Sequence, residues 1–159
     1  MTDKKTPDRE IRTILAPLTE SHVLLPNSAV AEVINYATPE PFKRAPAWLL
    51  GELAWQGWQV PVICFDRLVN NWDRVSVTPK TRILIIKTLG ESTQVNYIGL
   101  LIQGLPKLKK VTAKNLVEEK SDNLPKGLFS KVSIDDLQAV IPELGDLSHV
   151  VEQAAYGSA

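Results

Sequence analysis

Residues 45–66 (APAWLLGELAWQGWQVPVICFD) constrain the fold more than any other part of the chain. This stretch holds three of the four tryptophans and the single cysteine. Two apolar runs flank Gln56-Gly57, and glycine readily adopts the positive φ that a two-residue hairpin turn needs. The stretch therefore predicts a β-hairpin of residues 49–55 and 58–65, followed by a short helix that Asp66 caps.

Alternation along the first predicted strand assigns its side chains to two faces. The face expected to point inward carries Leu49, Gly51, Leu53 and Trp55. Gly51 leaves room there for a large neighbour or a bend. In the second strand, Pro61 has no N–H to donate and predicts an edge or a bulge.

Eleven prolines separate the other apolar runs, and proline interrupts both helices and interior strands. This spacing favours short strands over long helices. A helical turn capped by Asn27 or Ser28 is expected, and residues 114–126 read as a loop. Apolar residues at helical spacing predict a C-terminal helix over residues 144–155. Further strands are predicted over residues 11–17, 22–26, 33–36, 82–89, 96–103, 108–113, 128–134 and 137–141. About ten short strands indicate an all-β barrel or sandwich.

The charge balance argues against several classes of protein. Eighteen basic and eighteen acidic residues cancel, whereas nucleic-acid-binding proteins and polybasic membrane anchors depend on excess positive charge. One cysteine allows no internal disulfide. Residues 1–10 are charged, lack the apolar run of a signal peptide and are expected to be flexible. We therefore expect a cytoplasmic protein without direct membrane insertion.

No combination of residues in the sequence suits catalysis. His22 and His149 lie far apart, and neither has a second metal ligand at a local spacing. Cys64 lies in an apolar run, where a buried and unreactive thiol is expected. No glycine-rich phosphate loop occurs. The sequence therefore predicts a protein that is not an enzyme and that binds no cofactor and no metal.

Tryptophan is the residue type that most suggests a contact with another protein. All four tryptophans fall within residues 48–72, which is more bulk than half of a small barrel readily buries. Tryptophan is also enriched at binding hot spots. Two alternatives stay open, namely complete burial in the core and exposure of at least one tryptophan at a partner surface.

A basic run is the one local excess of charge. Its members are Lys107, Lys109, Lys110 and Lys114. A solvated strand face is one interpretation, and an electrostatic contact with an acidic protein is another. With exposed aromatic residues, the same lysines would suit a small barrel that binds single-stranded nucleic acid.

Several segments together resemble the CheW-like domain of bacterial chemosensory systems. The first resemblance lies in Leu25, Pro26, Val30, Glu32 and Val33. The second lies in the predicted hairpin, at Ala45, Pro46, Gly51, Gly57, Pro61, Val62, Ile63 and Asp66. Residues 82–86 and 97–102 are similar to the two central strands of the family. The resemblance covers residues 11–155.

The resemblance implies an all-β fold of two SH3-like five-stranded β-barrels side by side, with a C-terminal helix packing back. Residues 75–81 suggest the boundary, so that residues 11–75 form subdomain one, residues 76–143 form subdomain two and residues 144–155 form the helix. The implied function is that of a non-catalytic adaptor. It couples the cytoplasmic tip of a chemoreceptor to a CheA-type histidine kinase in a signalling array, and it binds no nucleic acid.

Carried over position by position, the resemblance implies a set of partner-binding residues and places kinase contact in the second barrel. The implied partner-binding residues are Val30, Glu32, Val33, Gly51, Gln56, Gly57, Gly99 and Gln103. Two departures each remove a charge, because Gln56 replaces the usual arginine and Gln103 replaces the usual aspartate. Asp66 also lies farther from Ile63 than the family pattern would place it. These departures favour an accessory member, nearest the ChpC-type adaptor of type IV pilus (twitching) systems.

Overall fold

The computed structural model describes residues 10–70, 75–88, 94–119 and 129–157. The predictions for residues 1–9, for Trp72 and for part of the 114–126 loop lie outside the described residues. The elements are β1 (Ile11–Pro17), β2 (His22–Pro26), a 3₁₀ turn (Asn27–Ala29), β3 (Val30–Asn35), β4 (Leu49–Trp55), β5 (Trp58–Ile63), α1 (Phe65–Asn70), β6 (Arg82–Lys87), β7 (Tyr97–Ile102), β8 (Lys107–Val111), β9 (Leu116–Glu119), β10 (Phe129–Ile134), β11 (Leu137–Pro142) and α2 (Leu144–Tyr156).

The strands form two sheets, which confirms the all-β prediction with a C-terminal helix. The first sheet has six strands in the order β8-β1-β2-β11-β10-β9, and the second has five in the order β3-β6-β7-β5-β4. Each sheet contains one parallel pair, β2 with β11 and β5 with β7. The sixth strand of the first sheet is β9, which falls in residues expected to form a loop. The sequence of β9, LVEE, has no alternation of apolar and polar residues, so its pattern does not predict a strand.

The expected boundary at residues 75–76 does not separate the two sheets. The first sheet takes β1 and β2 from the start of the chain and β8 to β11 from its end, and the second sheet, β3 to β7, is inserted between them. Parallel pairing of Ala139 with His22 and of Val140 with Val23 joins the two distant parts. A linear pattern of apolar runs contains no signal for such a long-range pairing.

Three apolar clusters hold the sheets together. One cluster belongs to the first sheet, one belongs to the second, and the third, the shared core, lies between both sheets and α2. The four central residues of β6 are all apolar because both faces of this strand are buried. Leu84 and Ile86 enter the shared core, while Ile83 and Ile85 enter the second sheet's own cluster. The other members of the shared core include Ala16, Val23, Leu25, Leu100, Ile102, Leu147 and Val151.

Asp66 does not act as the cap that the sequence suggests. Helix α1 begins one residue earlier, at Phe65, and the Asp66 side chain is almost fully buried at 1% exposure. Its carboxylate accepts hydrogen bonds from the backbone N–H of Thr19 at 3.0 and 3.1 Å and of Glu20 at 3.4 Å. It therefore fixes the β1–β2 turn against the start of α1, a contact across 47 residues.

Helix α2 packs back onto the hairpin through its last turn. The hydroxyl of Tyr156 donates to Glu52 Oε2 at 2.7 Å, and the ring of Tyr156 meets Phe42 edge to face at 5.8 Å. Burial raises the pKa of Tyr156 above its ordinary value, and the Glu52 carboxylate raises the pKa further by accepting the proton's hydrogen bond and repelling the phenolate. None of the described helices is long and apolar enough to cross a membrane.

The buried carboxylate of Asp66 makes a sharp prediction about stability. Asp66→Ala leaves the N–H of Thr19 without its charged acceptor, and we expect a loss of about 2–3 kcal/mol in the free energy of unfolding. Urea titration followed by circular dichroism measures the loss. Glu20→Ala is the matched control, because the Glu20 side chain is exposed and only its backbone N–H takes part. Equal stability of the two variants would contradict the role given to Asp66.

The raised pKa of Tyr156 predicts weakening at alkaline pH. A group whose pKa is higher in the folded state than in the unfolded state stabilises the fold below its unfolded pKa, about 10 for tyrosine, and loses this contribution as pH rises. We expect Tyr156→Phe to lower the free energy of unfolding by about 1 kcal/mol at pH 7. The difference in unfolding free energy between the variant and the parent should narrow above pH 10. Urea titrations from pH 7 to 11 measure both. A constant gap across that range would show that the hydroxyl does not titrate with unfolding.

Candidate partner-binding site

Strands β4 and β5 meet in the two-residue turn that the sequence predicts. Trp55 pairs with Trp58 as the last pair of the hairpin. Gln56 and Gly57 both have positive φ, 46° and 83°, as in the turn type whose twist matches that of the strands. The hairpin tip is thereby rigid and projects the two tryptophans from neighbouring strands.

An aromatic cluster covers the base of this tip. The ring of Tyr97, at the start of β7, meets Trp55 edge to face at 4.9 Å and Trp58 at 5.4 Å. Trp55 is half-buried, and Trp58 is 44% exposed. Of the two alternatives for the tryptophans, the structure therefore shows exposure for Trp58. The ring contacts hold its side chain in place without covering it.

Glu32 ties the hairpin tip to the opposite edge of the second sheet. Its Oε1 accepts from Trp55 Nε1 at 2.8 Å and from Gln56 Nε2 at 3.3 Å. Glu32 lies on β3 and Trp55 on β4, and these are the two outer strands of the five-stranded order. The contact therefore bends the sheet towards closure, as in a small barrel. We call Glu32, Trp55, Gln56, Gly57, Trp58 and Tyr97 the tip site.

The side chains predicted to point inward from β4 enter two different apolar clusters. Leu49 enters the shared core, whereas Leu53 and Trp55 pack against the second sheet's own cluster together with Leu50. A bulge between Leu49 and Gly51 reverses the alternation. Gly51 has a φ of 145°, and a Cβ there would overlap the carbonyl oxygen of Glu40. Gly51 is thus a structural residue that turns Trp55 towards the tip site.

Three other expected site residues lie away from the exposed tip. Gly99 is buried in β7, where an added Cβ would come within 2.9 Å of Ile83 Cγ2. Val30 and Val33 are half-buried against the shared core. Gly99 therefore offers no exposed atom to a partner, and the two valines support β3 from behind Glu32.

Gln103 forms a joint between the sheets and lies outside the tip site. Its backbone N–H donates to the carbonyl of Pro17 at 2.8 Å, and its Oε1 accepts from Thr81 Oγ1 at 3.1 Å. These contacts connect the end of β7 with the end of β1. Of the eight residues implied by the resemblance, the structure brings Glu32, Gln56 and Gly57 together at one exposed place.

The cysteine and the two histidines lie in surroundings that do not suit catalysis. Cys64 is fully buried, and burial raises the pKa of its thiol, which disfavours a reactive thiolate. His22 lies 3.2 Å from the carbonyl of Gln138 through Nδ1, and His149 is exposed on α2. Among the described residues, no three His, Cys, Asp or Glu side chains are placed to hold a metal ion.

Comparison with known proteins identifies the fold that carries the tip site. The sequence pattern of the CheW-like domain matches residues 12–152. The chain belongs to the CheW-like domain family. No curated protein matches the chain. Among solved structures, the scaffolding protein TtCheW from Thermoanaerobacter tengcongensis has a TM-score of 0.72 at 17% identity, over 92% of this chain and 93% of that one. At this identity the match establishes a shared fold. The tip site is therefore part of a CheW-like domain.

Sequence reasoning missed three members of the tip site. Trp55, Trp58 and Tyr97 were not among the expected partner-binding residues, although the clustering of tryptophans did suggest exposure. Tyr97 approaches the hairpin because β7 pairs with β5 in parallel through Val62 and Gly99. That pairing depends on the sheet order, which the sequence alone does not contain.

The bulge at Gly51 predicts a difference between the two glycines of the hairpin. Gly51→Ala forces a Cβ into the Glu40 backbone, and we expect it to cost at least about 3 kcal/mol of unfolding free energy. Gly57→Ala meets no atom within 4 Å and should cost only about 1–2 kcal/mol for its positive φ. Thermal melts followed by tryptophan fluorescence compare them. Similar losses in both variants would show that the bulge tolerates a side chain.

Proposed function

We propose that this protein is a non-catalytic adaptor that couples a chemoreceptor to a CheA-type histidine kinase in a chemosensory array. Membership of the CheW-like family and the fold shared with a scaffolding protein support the adaptor role. The observation that carries the proposal is the tip site, where exposed Trp58 stands on Tyr97 beside the carboxylate of Glu32. The protein works in the cytoplasm, at arrays of membrane-bound receptors.

The tip site has the properties of a binding hot spot. Trp58 presents a large apolar face that is already held by Tyr97, so little conformational freedom is lost on binding. Glu32 uses Oε1 for Trp55 and Gln56, and within the described residues no donor reaches its Oε2. That oxygen is available for an N–H or a guanidinium of the partner. The receptor tip is the partner that we assign to this surface.

A coupling protein needs a second surface for the kinase. The resemblance implies kinase contact in the second barrel, residues 76–143, and four of the six strands in that range, β8 to β11, lie in the first sheet. We therefore assign kinase contact to the first sheet, whose strands are distinct from those that build the tip site. One domain can then hold both partners at once.

The residue at the hairpin turn supports an accessory role. An arginine at position 56 could pair with Glu32 through two parallel hydrogen bonds, whereas Gln56 donates one hydrogen bond of 3.3 Å and carries no positive charge. The tip site is therefore acidic through Glu32, with no cation from the turn to balance it. We propose that the protein serves a receptor whose surface charge differs from that of the receptors bound by a flagellar coupling protein. This receptor would belong to a ChpC-type pilus-linked system. Neighbouring genes for pili and for a CheA-type kinase would support this assignment.

The tip site predicts the effect of two substitutions on partner binding. Trp58→Ala removes the exposed apolar face and should weaken binding to the receptor tip at least tenfold. Gln56→Glu removes the amide that donates to Glu32 and repels the Glu32 carboxylate from its position beside Trp55, which should weaken binding by a similar factor. Both should leave the melting temperature within a few degrees, because both positions are exposed. Isothermal calorimetry with the receptor tip and with the kinase regulatory domain of the same cell measures binding.

Gln59→Glu is the matched control for these variants. Gln59 is exposed on β5 of the same hairpin and forms no part of the tip site, so the same change of charge there should leave affinity unchanged. A large loss of stability with unchanged affinity would make the tip purely structural. Absence of binding to every receptor and kinase of the cell would reject the adaptor function itself.

A further inference from the structure

Among the described strands, β8 is an outer strand of the first sheet and pairs on one side only. Its partner is β1, in the register Arg12 with Lys110 and Ile14 with Leu108. No described strand lies along its other side. Asn115 Nδ2 donates to the carbonyl of Lys110 at 3.0 Å. This carbonyl, near the C-terminal end of β8, is therefore already hydrogen-bonded. An outer strand with unpaired backbone groups can accept a further strand.

Like charges lie directly opposite each other on this pair of strands. Arg12 and Lys110 are cross-strand neighbours, both are exposed, and neither forms an ion pair with a described carboxylate. By contrast, Lys109 is paired with Asp135 at 2.6 Å. Two like charges in direct opposition destabilise a sheet. An acidic group placed between Arg12 and Lys110 would turn this repulsion into attraction.

The two cations border a groove that also has an apolar element. The groove measures about 280 Å³, and Leu108 in its wall is 72% exposed. Leu108 lies on the same face of the sheet as Lys110, because the two residues are two positions apart on β8. Arg12 lies on that face too, because it is paired directly with Lys110. The residues that line the groove are Arg12, Thr13, Asn27, Leu108, Lys109 and Lys110.

The chemistry of the groove distinguishes between possible occupants. A second copy of β8 would bring its lysines against Lys107 and Lys110, and the charges would repel it. Single-stranded nucleic acid is held by aromatic residues that stack on bases, and the residues lining the groove include none. An acidic chain segment with an apolar side chain matches both the charge and Leu108.

We propose that the edge of β8 binds an extended acidic segment of a partner protein. Carboxylates of the segment pair with Arg12 and Lys110, and an apolar side chain of the segment covers Leu108. This surface is cationic, whereas the tip site is acidic through Glu32. The two surfaces therefore select partner segments of opposite charge, and the acidic segment is a further contact beyond those of the adaptor function.

A labelled peptide tests the proposal directly. The probe is a fluorescent twelve-residue peptide with three repeats of glutamate, threonine, leucine and threonine, so that its glutamates and leucines share one face of the extended strand, as Arg12, Leu108 and Lys110 do. A peptide with glutamine in place of glutamate is its control. Fluorescence anisotropy with the full chain should show binding of the acidic peptide that weakens at least tenfold between low and high salt. The double variant Arg12→Glu/Lys110→Glu should lose binding at least tenfold. Lys43→Glu/Lys80→Glu, with the same change of charge at two exposed lysines elsewhere, should keep it.

Further arms separate the proposal from its alternatives. Arg12→Glu alone should raise the melting temperature, because it creates an opposite-charge pair with Lys110, and should still weaken peptide binding, which excludes misfolding as the cause. Trp58→Ala should leave peptide binding unchanged. Equal binding of both peptides, equal loss in both double variants, or tighter binding of a thymidine oligonucleotide than of the acidic peptide would overturn the proposal. So would no binding of the acidic peptide at low salt, since the lysines would then only keep the edge from self-association.

Discussion

The rest of the structure depends on the apolar core that the two sheets share. Leu84 and Ile86 reach it from the second sheet, and Val23 and Leu25 reach it from the first. Neither sheet can bury this face alone, so each is stable only against the other. Helix α2 covers the same core through Leu147 and Val151. The chain leaves the first sheet after β2, completes the second sheet and then returns to the first.

Closure of the second sheet also shapes the tip site, which we propose as a binding surface. The outer strands β3 and β4 meet through Glu32 and Trp55, and the hydrogen bond satisfies the indole N–H of a half-buried tryptophan. The same contact leaves Trp58 on the outside, fixed by Tyr97. The groups that close the barrel therefore also orient the exposed aromatic side chain, so the site needs no separate scaffold.

The net charge of the molecule is zero, but its charged side chains are unevenly distributed over the surface. Eighteen basic and eighteen acidic residues cancel, yet the tip site presents Glu32 while the β8 edge presents Arg12 and Lys110. We propose that an adaptor with such oppositely charged surfaces distinguishes its partners by charge. Net charge alone would have suggested a featureless surface.

Residues close together in the chain specify the short strands, the hairpin turn at Gln56-Gly57 and the C-terminal helix, and local motifs reveal the family, so all four can be predicted from the sequence. The nesting of the two sheets, the reversal of alternation at Gly51, the burial of Gly99 and the place of Tyr97 in the tip site depend on contacts between distant residues. Asp66 shows the reason most clearly. Its local position suggests a helix cap, but its carboxylate is taken by the N–H of Thr19, 47 residues earlier. Contacts of that range follow from sheet order and shared burial, and neither is encoded in a local pattern.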